Sequence, residues 1–499
     1  MSADQLFGTS TVVLCFAIYF YSWKYQQKDN YKIAVALLII SGLILRIYSS
    51  SYLYLHDWDE RYHALVAKNF MKHFFVPTLY DHPVLHYYYN NWDSNHIWLH
   101  KQPLSIWAMT ISMWLFGINE IAIRIPSIVI TTIAIWLTYY IANFFFNKKV
   151  AYYSAFLYSI NGLIIELVGG RTATDHVDVF FLFFIELSIF LSIVYVQKQK
   201  TIYTILVGVS IGAAILSKWL PALIVLPVWL LLVIDSKKFN NKKIFFQFVL
   251  MCTVAAIVFL PWQIYIFQAF PVEANWEASF NVKHLTQVFE NQQGPFYYYL
   301  TMMRLNYGEL IYLPLIWFLW KSFKKPFDLK RLAICVWVVV PVLFFTVAQT
   351  KMQAYILFIC PALFIITAEF FVMLLNFKIE KTQKWLIRFI IVIMIVIPFR
   401  YLIERVRPLE NIDRNPKWAT DLKGLNSKNY KNAVLLNYNR PIEAMFYTDI
   451  TAYNYLPNDS TINSLMQKGY TIIINDNGKV PMQTKTIKGL KMEHLEEFD

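Results

Sequence analysis

Long runs of apolar residues, separated by short polar loops, occupy most of the first 400 residues of the chain. A helix needs about 20 residues to cross the ~30 Å hydrocarbon core of a bilayer, so such runs are typical of transmembrane helices. The shorter runs must extend into their flanking residues to cross it. The pattern predicts twelve transmembrane segments, at residues 7–23, 33–55, 126–146, 150–168, 177–196, 201–217, 219–234, 244–261, 309–320, 332–348, 354–375 and 385–399.

Lysine and arginine residues cluster in alternate loops, and cytoplasmic loops of membrane proteins carry an excess of these residues. If all clusters are cytoplasmic, one topology places both termini and the intervening loops on the outer side. The net charge of +13 is then explained by membrane orientation better than by nucleic acid binding, because the basic residues are dispersed among short loops. The basic clusters lie at residues 24–32, 148–149, 198–200, 237–243, 321–331 and 378–384, and the outer loops at 57–125, 169–176, 262–307 and 349–353.

Two further segments in the outer loop have helical patterns but do not fit as spans. Residues 104–116 are too few, and a crossing there would move the basic cluster at 148–149 to the outside. We interpret this segment as an interfacial helix with Trp107 and Trp114 at headgroup level. Residues 62–70 have the same apolar spacing. Ordinary packing against the helical bundle is compatible with both segments.

The composition supports a membrane protein, because 57% of the 499 residues are hydrophobic and only 15% are charged. The four cysteines lie inside apolar runs and have no disulfide or metal-binding spacing. No cleavable signal peptide is expected. The predicted fold class is therefore an all-α polytopic membrane protein, with roughly twelve transmembrane helices plus interfacial helices.

The chain changes character after residue 400. Residues 433–438 and 471–474 are predicted strands, whereas 441–447 and 460–468 are predicted helices. This pattern indicates a small extracytoplasmic α/β domain at 401–499, separate from a transmembrane domain at 1–400. The C-terminal segment contains no glycine-rich phosphate loop and no Ser/His/Asp pattern, so we expect no catalytic role for it.

A charged octet, residues 56–63, directly follows the second apolar run and contains Asp57, Asp59 and Glu60. Charges at that depth cost several kcal/mol unless they are paired or hydrated, which favours a functional site. A solvated loop that ends a helix is the alternative. Seven of the ten histidines lie in the same outer loop, at positions 56, 63, 73, 82, 86, 96 and 100. They lack zinc-site spacing, and we interpret them as residues of a hydrated interface.

Other polar residues converge with the octet on the outer side: the turn 169–176, Lys101, and Lys351 with Tyr355 at the start of a later span. Carboxylates beside cations at the outer interface suit a donor whose phosphate lies at headgroup level. Transfer from a lipid phosphate needs cations to stabilise the departing charge. It also needs a carboxylate that takes the proton of the acceptor hydroxyl, which contributes roughly 10²–10⁴ in rate.

The octet and the motifs that follow it resemble the aminoarabinose transferase and protein O-mannosyltransferase-like families, which are integral membrane glycosyltransferases of the GT-C fold. Residues 58–62 are similar to their Asp-Glu-x-Arg-Tyr segment and residues 100–104 to their Lys-Pro-Pro-Leu motif. The resemblance covers roughly residues 30–400, and the motifs occur in the family order. The remaining similar segments are 116–120, 124–127, 170–175, 294–299 and 351–361.

The resemblance implies roles for individual residues. Asp59 would be the catalytic base, and Asp175 the second acidic residue of the pocket. Lys101 and Lys351 would meet the donor phosphate, and Tyr355 would line the donor pocket.

Three more residues are candidates for substrate binding: Asp57, Glu60 and Arg304. Arg304 precedes a span on the outer side, where snorkelling explains it equally well. Asp57 and Asp59 form an Asp-x-Asp sequence, which invites a divalent cation, but similar enzymes generally do not rely on such a site. We therefore expect no required cofactor and no metal ligands.

The chain departs from the family pattern at two motifs. Gln102 replaces the first proline of Lys-Pro-Pro-Leu, which loosens that turn. Gln292 and Gln293 stand where relatives carry a histidine before Gly-Pro-Phe. The second change leaves the sugar and the acceptor open.

These observations predict a glycosyltransferase that moves a sugar from a polyprenyl-phosphate donor to an acceptor lipid, glycan or protein. The reaction is expected on the extracytoplasmic (periplasmic) side of a cytoplasmic membrane, by single displacement with inversion. A transporter or flippase of lipid-linked glycans is the alternative, although it predicts midplane charges and inverted repeats that the sequence lacks. A non-catalytic scaffold would leave the outer acidic cluster unexplained.

Overall fold

The computed structural model describes residues 2–325, 327–377 and 384–496, and most of the last predicted basic cluster lies outside these ranges. The first helices are α1 (Ala3–Gln27), α2 (Tyr31–Ser49), α3 (Asp59–Phe70), α4 (Leu104–Phe116), α5 (Glu120–Phe145), α6 (Lys148–Ser159), α7 (Gly162–Val168), α8 (Asp175–Lys198) and α9 (Thr201–Lys218). They are followed by α10 (Val225–Ser236), α11 (Asn241–Ala269), α12 (Pro271–Thr286), α13 (Tyr298–Tyr307), α14 (Tyr312–Phe323), α15 (Leu329–Val347), α16 (Cys360–Leu375) and α17 (Lys384–Val406).

The predicted polytopic all-α architecture is confirmed. Within the described ranges, nine helical segments are long and apolar enough to span a membrane, and the bent pair α6 and α7 makes a tenth. Each of the twelve predicted segments overlaps a helix. Two of them, 219–234 and 309–320, form the shorter helices α10 and α14, each preceded by a 3₁₀ turn, so full-length spans are fewer than predicted.

Polar side chains begin the helices that follow short loops. Asn30, Asn147 and Asn240 each accept a hydrogen bond from a backbone amide in the first turn of α2, α6 and α11. Such caps satisfy amides that have no partner within the helix. Gly208 and Gly212 lie on the face of α9 against α11, where a Cβ on either would lie 2.6 Å from an atom of α11. Small residues at this spacing let membrane helices pack closely.

The interfacial segment forms α4 at the predicted residues, and it packs between α3 and α5. Thr110 donates a hydrogen bond to the Ala67 carbonyl of α3 at 3.0 Å, and Trp107 stacks on Phe74 with ring centroids 5.8 Å apart. The indole of Trp114 stacks on the same Phe74 ring, with centroids 5.4 Å apart, and is half exposed. The packing interpretation of α4 is thereby confirmed, and its depth in a bilayer stays a prediction.

The C-terminal segment forms a four-stranded, all-parallel sheet in the order β2-β1-β3-β4. The predicted boundary at residue 400 falls inside α17, which continues to Val406. The sheet strands are β1 (Ala433–Leu436), β2 (Thr451–Ala452), β3 (Thr471–Asn475) and β4 (Lys491–Glu493), and the helices are α18 (Lys417–Leu425), α19 (Pro441–Tyr447), α20 (Asp459–Gln467) and α21 (Met482–Lys485).

One apolar core joins this C-terminal domain to the outer loop. Buried side chains of α3, including Leu65 and Val66, belong to the same cluster as Leu435 of β1 and Phe446 of α19. α3 therefore lies between the membrane helices and the C-terminal domain. Because α3 begins at Asp59, this packing determines where the candidate base is held.

At position 170 both the backbone conformation and the neighbouring side chain favour glycine. Its φ is +71°, and a Cβ there would lie 2.1 Å from Glu60 Oε1. We expect Gly170→Ala to destabilise the protein by about 1–3 kcal/mol, through backbone strain and displacement of the Glu60 carboxylate. Thermal unfolding in detergent tests this, with Gly424→Ala as the control, because no atom lies within 4 Å of a Cβ at Gly424. Equal melting temperatures for the two variants would contradict the prediction.

Candidate functional site

Asp59 occupies the first position of α3, directly after a strained residue. Trp58 has φ +70° and ψ −137°, a region that costs a non-glycine residue about 1–3 kcal/mol. This conformation turns the chain abruptly from the loop into α3. The side chain of Trp58 remains largely exposed, whereas Asp59 is 8% exposed. The strain thus accompanies the placement of one buried carboxylate.

The Asp59 carboxylate is held by one cation and one amide. Its Oδ2 lies 3.3 Å from Lys101 Nζ and accepts a hydrogen bond from the Thr174 amide at 2.9 Å. Thr174 itself has φ +63°. Burial alone would raise the pKa of the Asp59 carboxyl, but Lys101, the nearby imidazoles and the Thr174 amide hold it well below its ordinary value. Asp59 is therefore an ionised carboxylate at neutral pH.

Lys101 lies in a loop that is anchored on both sides. Burial would lower the pKa of the Lys101 ammonium, but Asp59 outweighs burial and raises it. His100 Nδ1 lies 3.2 Å from Glu277 Oε1 of α12. The side chain of Gln102 accepts a hydrogen bond from Gln263 of α11 at 2.9 Å. The glutamine that departs from the family motif thus ties the Lys101 loop to a membrane helix.

A second ion pair, which the sequence analysis missed, belongs to the same cluster. Asp178 of α8, which is buried, and Lys218 of α9, which is half-buried, form an ion pair. Lys218 Nζ also lies 4.6 Å from the centroid of the Tyr355 ring, which places the predicted donor-pocket tyrosine beside it. Trp219, directly after Lys218, has φ +74°. One sequence signal could have identified Lys218. It is a lone lysine between the apolar runs 201–217 and 219–234, and it follows the end of the first run, whereas the basic cluster at 198–200 precedes its start.

Asp175 lies one residue from the Thr174 amide but turns to a different partner. Its Oδ1 is 3.0 Å from His63 Nδ1, and both side chains are fully buried. His63 follows Asp59 by one turn of α3. The structure therefore places Asp175 behind the Asp59 pair, where it orients an imidazole, and the carboxylate of α8 that pairs with a lysine is that of Asp178.

Glu60 is fully buried and its carboxylate is occupied by protein groups. Arg124 Nε and Nη2 donate to its two oxygens at 2.6 and 2.8 Å, and the His56 amide donates at 2.7 Å. Burial would raise the pKa of Glu60, but Arg124 holds it well below its ordinary range. In the structure Glu60 fixes the loop that carries Asp59, and it presents no free oxygen to a substrate.

Asp57 faces the C-terminal domain, where Arg440 Nη1 lies 3.0 Å from its Oδ1. Asp57 and Asp59 thus hold different cations. Lys351 is buried, and its ammonium donates to the Ala348 carbonyl. Its amide donates to the Gln292 carbonyl at 2.9 Å, which links two outer loops. Arg304 is exposed on α13, and no hydrogen bond or ion pair within the described ranges connects it to the Asp59–Lys101 pair. The structure therefore pairs Asp59 with Lys101 and Tyr355 with Lys218, whereas Asp57 and Glu60 hold other partners and Arg304 is exposed.

The candidate site carries no evident set of metal ligands. In the part of the chain that the structure describes, no group of three or more His, Cys, Asp or Glu residues could hold a metal ion. The outer-loop histidines instead contact protein groups; His100, for example, stacks on Trp92 with ring centroids 4.8 Å apart.

Comparison with known proteins supports the resemblance. The model of the dolichyl-phosphate-mannose-protein mannosyltransferase family matches residues 100–265. An undecaprenyl phosphate-alpha-4-amino-4-deoxy-L-arabinose arabinosyl transferase of Yersinia pestis is 28% identical over 268 residues, which cover 52% of this chain. The match spans 47% of that relative's length. An uncharacterized protein of Aquifex aeolicus is 27% identical over 343 residues, 67% of this chain and 63% of that protein.

Solved structures share the fold. ArnT from Cupriavidus metallidurans in the apo state superposes with a TM-score of 0.63 at 14% identity, covering 91% of this chain and 95% of that one. The same protein bound to undecaprenyl phosphate gives 0.59 at 15% identity, covering 87% and 88%. The oligosaccharyltransferase of Archaeoglobus fulgidus gives 0.55 at 13% identity, covering 87% and 68%. The predicted resemblance is confirmed as a similarity in sequence over part of the chain and as a shared fold over most of it.

Proposed function

We propose that the protein is a glycosyltransferase that moves a sugar from a polyprenyl-phosphate donor to an acceptor hydroxyl. The observation that carries this proposal is the Asp59–Lys101 pair, 3.3 Å apart and largely shielded from solvent, beside the second pair Asp178–Lys218. Each pair joins a carboxylate to a cation that can bind phosphate. The names of the relatives support a polyprenyl-phosphate sugar as the donor.

The reaction we propose is a single displacement. The acceptor oxygen attacks the anomeric carbon, and the bond between that carbon and the phosphate oxygen breaks. Its electron pair leaves with the polyprenyl phosphate, while the acceptor proton passes to Asp59. Attack opposite the leaving group inverts the anomeric centre. Lys101 and Lys218 offset the charge that develops on the phosphate.

The Asp59–Lys101 contact also provides a way to switch on the base. Without a donor, Lys101 holds the pKa of Asp59 low, which makes Asp59 a weak base. A donor phosphate that binds Lys101 shares its charge and weakens that hold. The base strength of Asp59 would then rise only when the donor is present. This coupling would limit unproductive chemistry before the donor is bound.

The chain contains several helices that can span a membrane. We also propose on which side of the membrane the active site lies. The distribution of basic loops supports a multi-pass protein of the cytoplasmic membrane with its active site facing the extracytoplasmic side. We further propose that no divalent cation is required. The lysines supply the positive charge, and Arg440 engages Asp57, the other member of the Asp-x-Asp sequence. The acceptor is a lipid, a glycan or a protein.

A transfer assay with the purified full chain tests the function. The protein in detergent, with EDTA, is given a radiolabelled polyprenyl-phosphate sugar and candidate acceptors from the three classes. We expect the label to move to one acceptor class without any vesicle or gradient. A transporter or flippase would move the intact donor across a vesicle bilayer and leave the label on its lipid, and that result would reject the proposal.

Removing either lysine should weaken donor binding. We expect Lys101→Met and Lys218→Met to raise KM for the donor about 10- to 100-fold, because a hydrogen bond to a charged group contributes about 1.5–3 kcal/mol. Steady-state kinetics with the labelled donor measure this. Lys283→Met, which alters an exposed lysine of α12, is the matched control. An unchanged KM in both site variants would exclude these lysines from the phosphate site.

A further inference from the structure

The start of α3 is linked to the C-terminal domain through a cluster of charged residues. Arg61 Nη1 lies 3.3 Å from Glu443 Oε1 of α19, and Arg440 Nη1 lies 3.1 Å from the same oxygen. Arg440 also contacts Asp57, the residue two before the candidate base. Glu443 is fully buried, so it is held in one place by these two cations.

The far end of α3 is linked to the same helix through Lys68. Its ammonium donates to the Met445 carbonyl at 2.9 Å and the Phe446 carbonyl at 3.1 Å, at the C-terminal end of α19. Cations are favourable at helix C-termini, where carbonyls have no partner within the helix. Lys68 is only 7% exposed. Burying an ammonium is costly, and an apolar residue would have sufficed for attachment alone.

The segment before Asp59 is held from the same direction. The Leu55 amide donates to the Tyr447 hydroxyl at 2.9 Å, and that hydroxyl donates to Glu120 at 2.8 Å. Lys423 of α18 donates to the Leu53 carbonyl at 2.7 Å. The C-terminal domain therefore contacts the chain on both sides of the candidate base.

These contacts are directional, whereas the surrounding apolar core is not. Apolar packing tolerates small shifts, but hydrogen bonds at both ends of α3 fix its rotation and its position along its axis. A catalytic group must be held within about 0.5 Å of its productive position. A misplacement of about 1 Å can reduce the rate 10²-fold.

We infer that the C-terminal domain is a brace that positions Asp59, with Lys68 and Tyr447 as its positioning residues. This inference rests on the proposed function and gives the domain a role in the rate of the chemical step. Neither residue contacts the Asp59–Lys101 pair; both act through α3 and the loop before it. Donor binding depends on other elements and is independent of the brace.

Three variants of the full-length protein test the brace. We expect Lys68→Met and Tyr447→Phe to lower kcat about 5- to 50-fold while KM for the labelled donor changes less than twofold. Lys68→Arg should recover at least half of the wild-type kcat, because a guanidinium can also donate to the α19 carbonyls. Lys428→Met is the matched control: Lys428 pairs with Glu493 inside the C-terminal domain, and we expect wild-type kinetics.

The split between kcat and KM separates positioning from mere stabilisation. A purely structural role would lower the yield or the melting temperature and leave kcat of the folded protein unchanged, and that outcome in both variants overturns the brace. If Lys68→Met does not fold, Tyr447→Phe, which removes one hydroxyl, decides alone. An inactive wild-type protein would reject the proposed function, whereas an active wild type with equally active variants would reject only the brace.

Discussion

Asp59→Asn is expected to lower kcat for sugar transfer by about 10²- to 10⁴-fold, the range that a general base contributes. The amide has the shape of the carboxylate but cannot accept the acceptor's proton. KM for the donor should change little, because Lys101 and Lys218 remain. Single-turnover kinetics with the labelled donor measure the chemical step directly.

Asp57→Asn is the matched control for this experiment. Asp57 is two residues from Asp59 and has the same chemistry, but its carboxylate faces Arg440 of the C-terminal domain. We expect a loss of kcat smaller than the 5- to 50-fold loss of the brace variants, because the Asp57 carboxylate is 57% exposed and its partner Arg440 also pairs with Glu443. A comparable loss in both variants would favour a shared metal site on the Asp-x-Asp sequence. Wild-type transfer by folded Asp59→Asn would exclude Asp59 as the base.

The helices of this protein were predictable because their signal is local. The run that forms α4 was located to the residue, and α19 likewise, since apolar spacing and flanking turn residues define them. The predicted strands at 433–438 and 471–474 also overlap β1 and β3. Bilayer thickness and backbone hydrogen bonding restrict such segments to few solutions, so little long-range information is needed.

The partners of the three neighbouring carboxylates were not predictable in the same way. Asp57, Asp59 and Glu60 point from one helix start in three directions and meet Arg440, Lys101 and Arg124. Those partners come from three separate parts of the chain, and only tertiary packing selects among them. One sequence cluster therefore contains an attachment to the C-terminal domain, the candidate base and a buried anchor.

The rotational position of α8 about its axis determines which of its two carboxylates, Asp175 or Asp178, pairs with a lysine. Asp175 and Asp178 are three residues apart, and the family motif points to Asp175. The helix starts after Thr174 in a left-handed conformation, and this start turns Asp175 toward His63 and Asp178 toward Lys218. A one-residue change in that start would rotate both carboxylates by about 100° around the helix axis, and no local pattern in the sequence reports it.

The largest effect on stability is expected at the buried Glu60–Arg124 pair. Glu60→Gln keeps the shape of the side chain but leaves the Arg124 guanidinium without its counter-charge in a fully buried position. Breaking such a pair by removing one partner costs about 3–5 kcal/mol. Arg124 also donates hydrogen bonds to the carbonyls of Ser50, Tyr52 and Tyr54. These hydrogen bonds remain in the variant and reduce the loss of stability.

The matched control is a pair near the surface of the same outer loop. Lys72 Nζ lies 2.9 Å from Asp81 Oδ2, and the lysine side chain is 49% exposed. Because water screens such a pair, Asp81→Asn should cost at most about 1 kcal/mol. Denaturant titration in detergent compares the free energies of unfolding of the two variants with that of the wild type. Equal losses would mean that Arg124 is compensated by its carbonyl partners alone, and Glu60 would then be free to serve another purpose in the site.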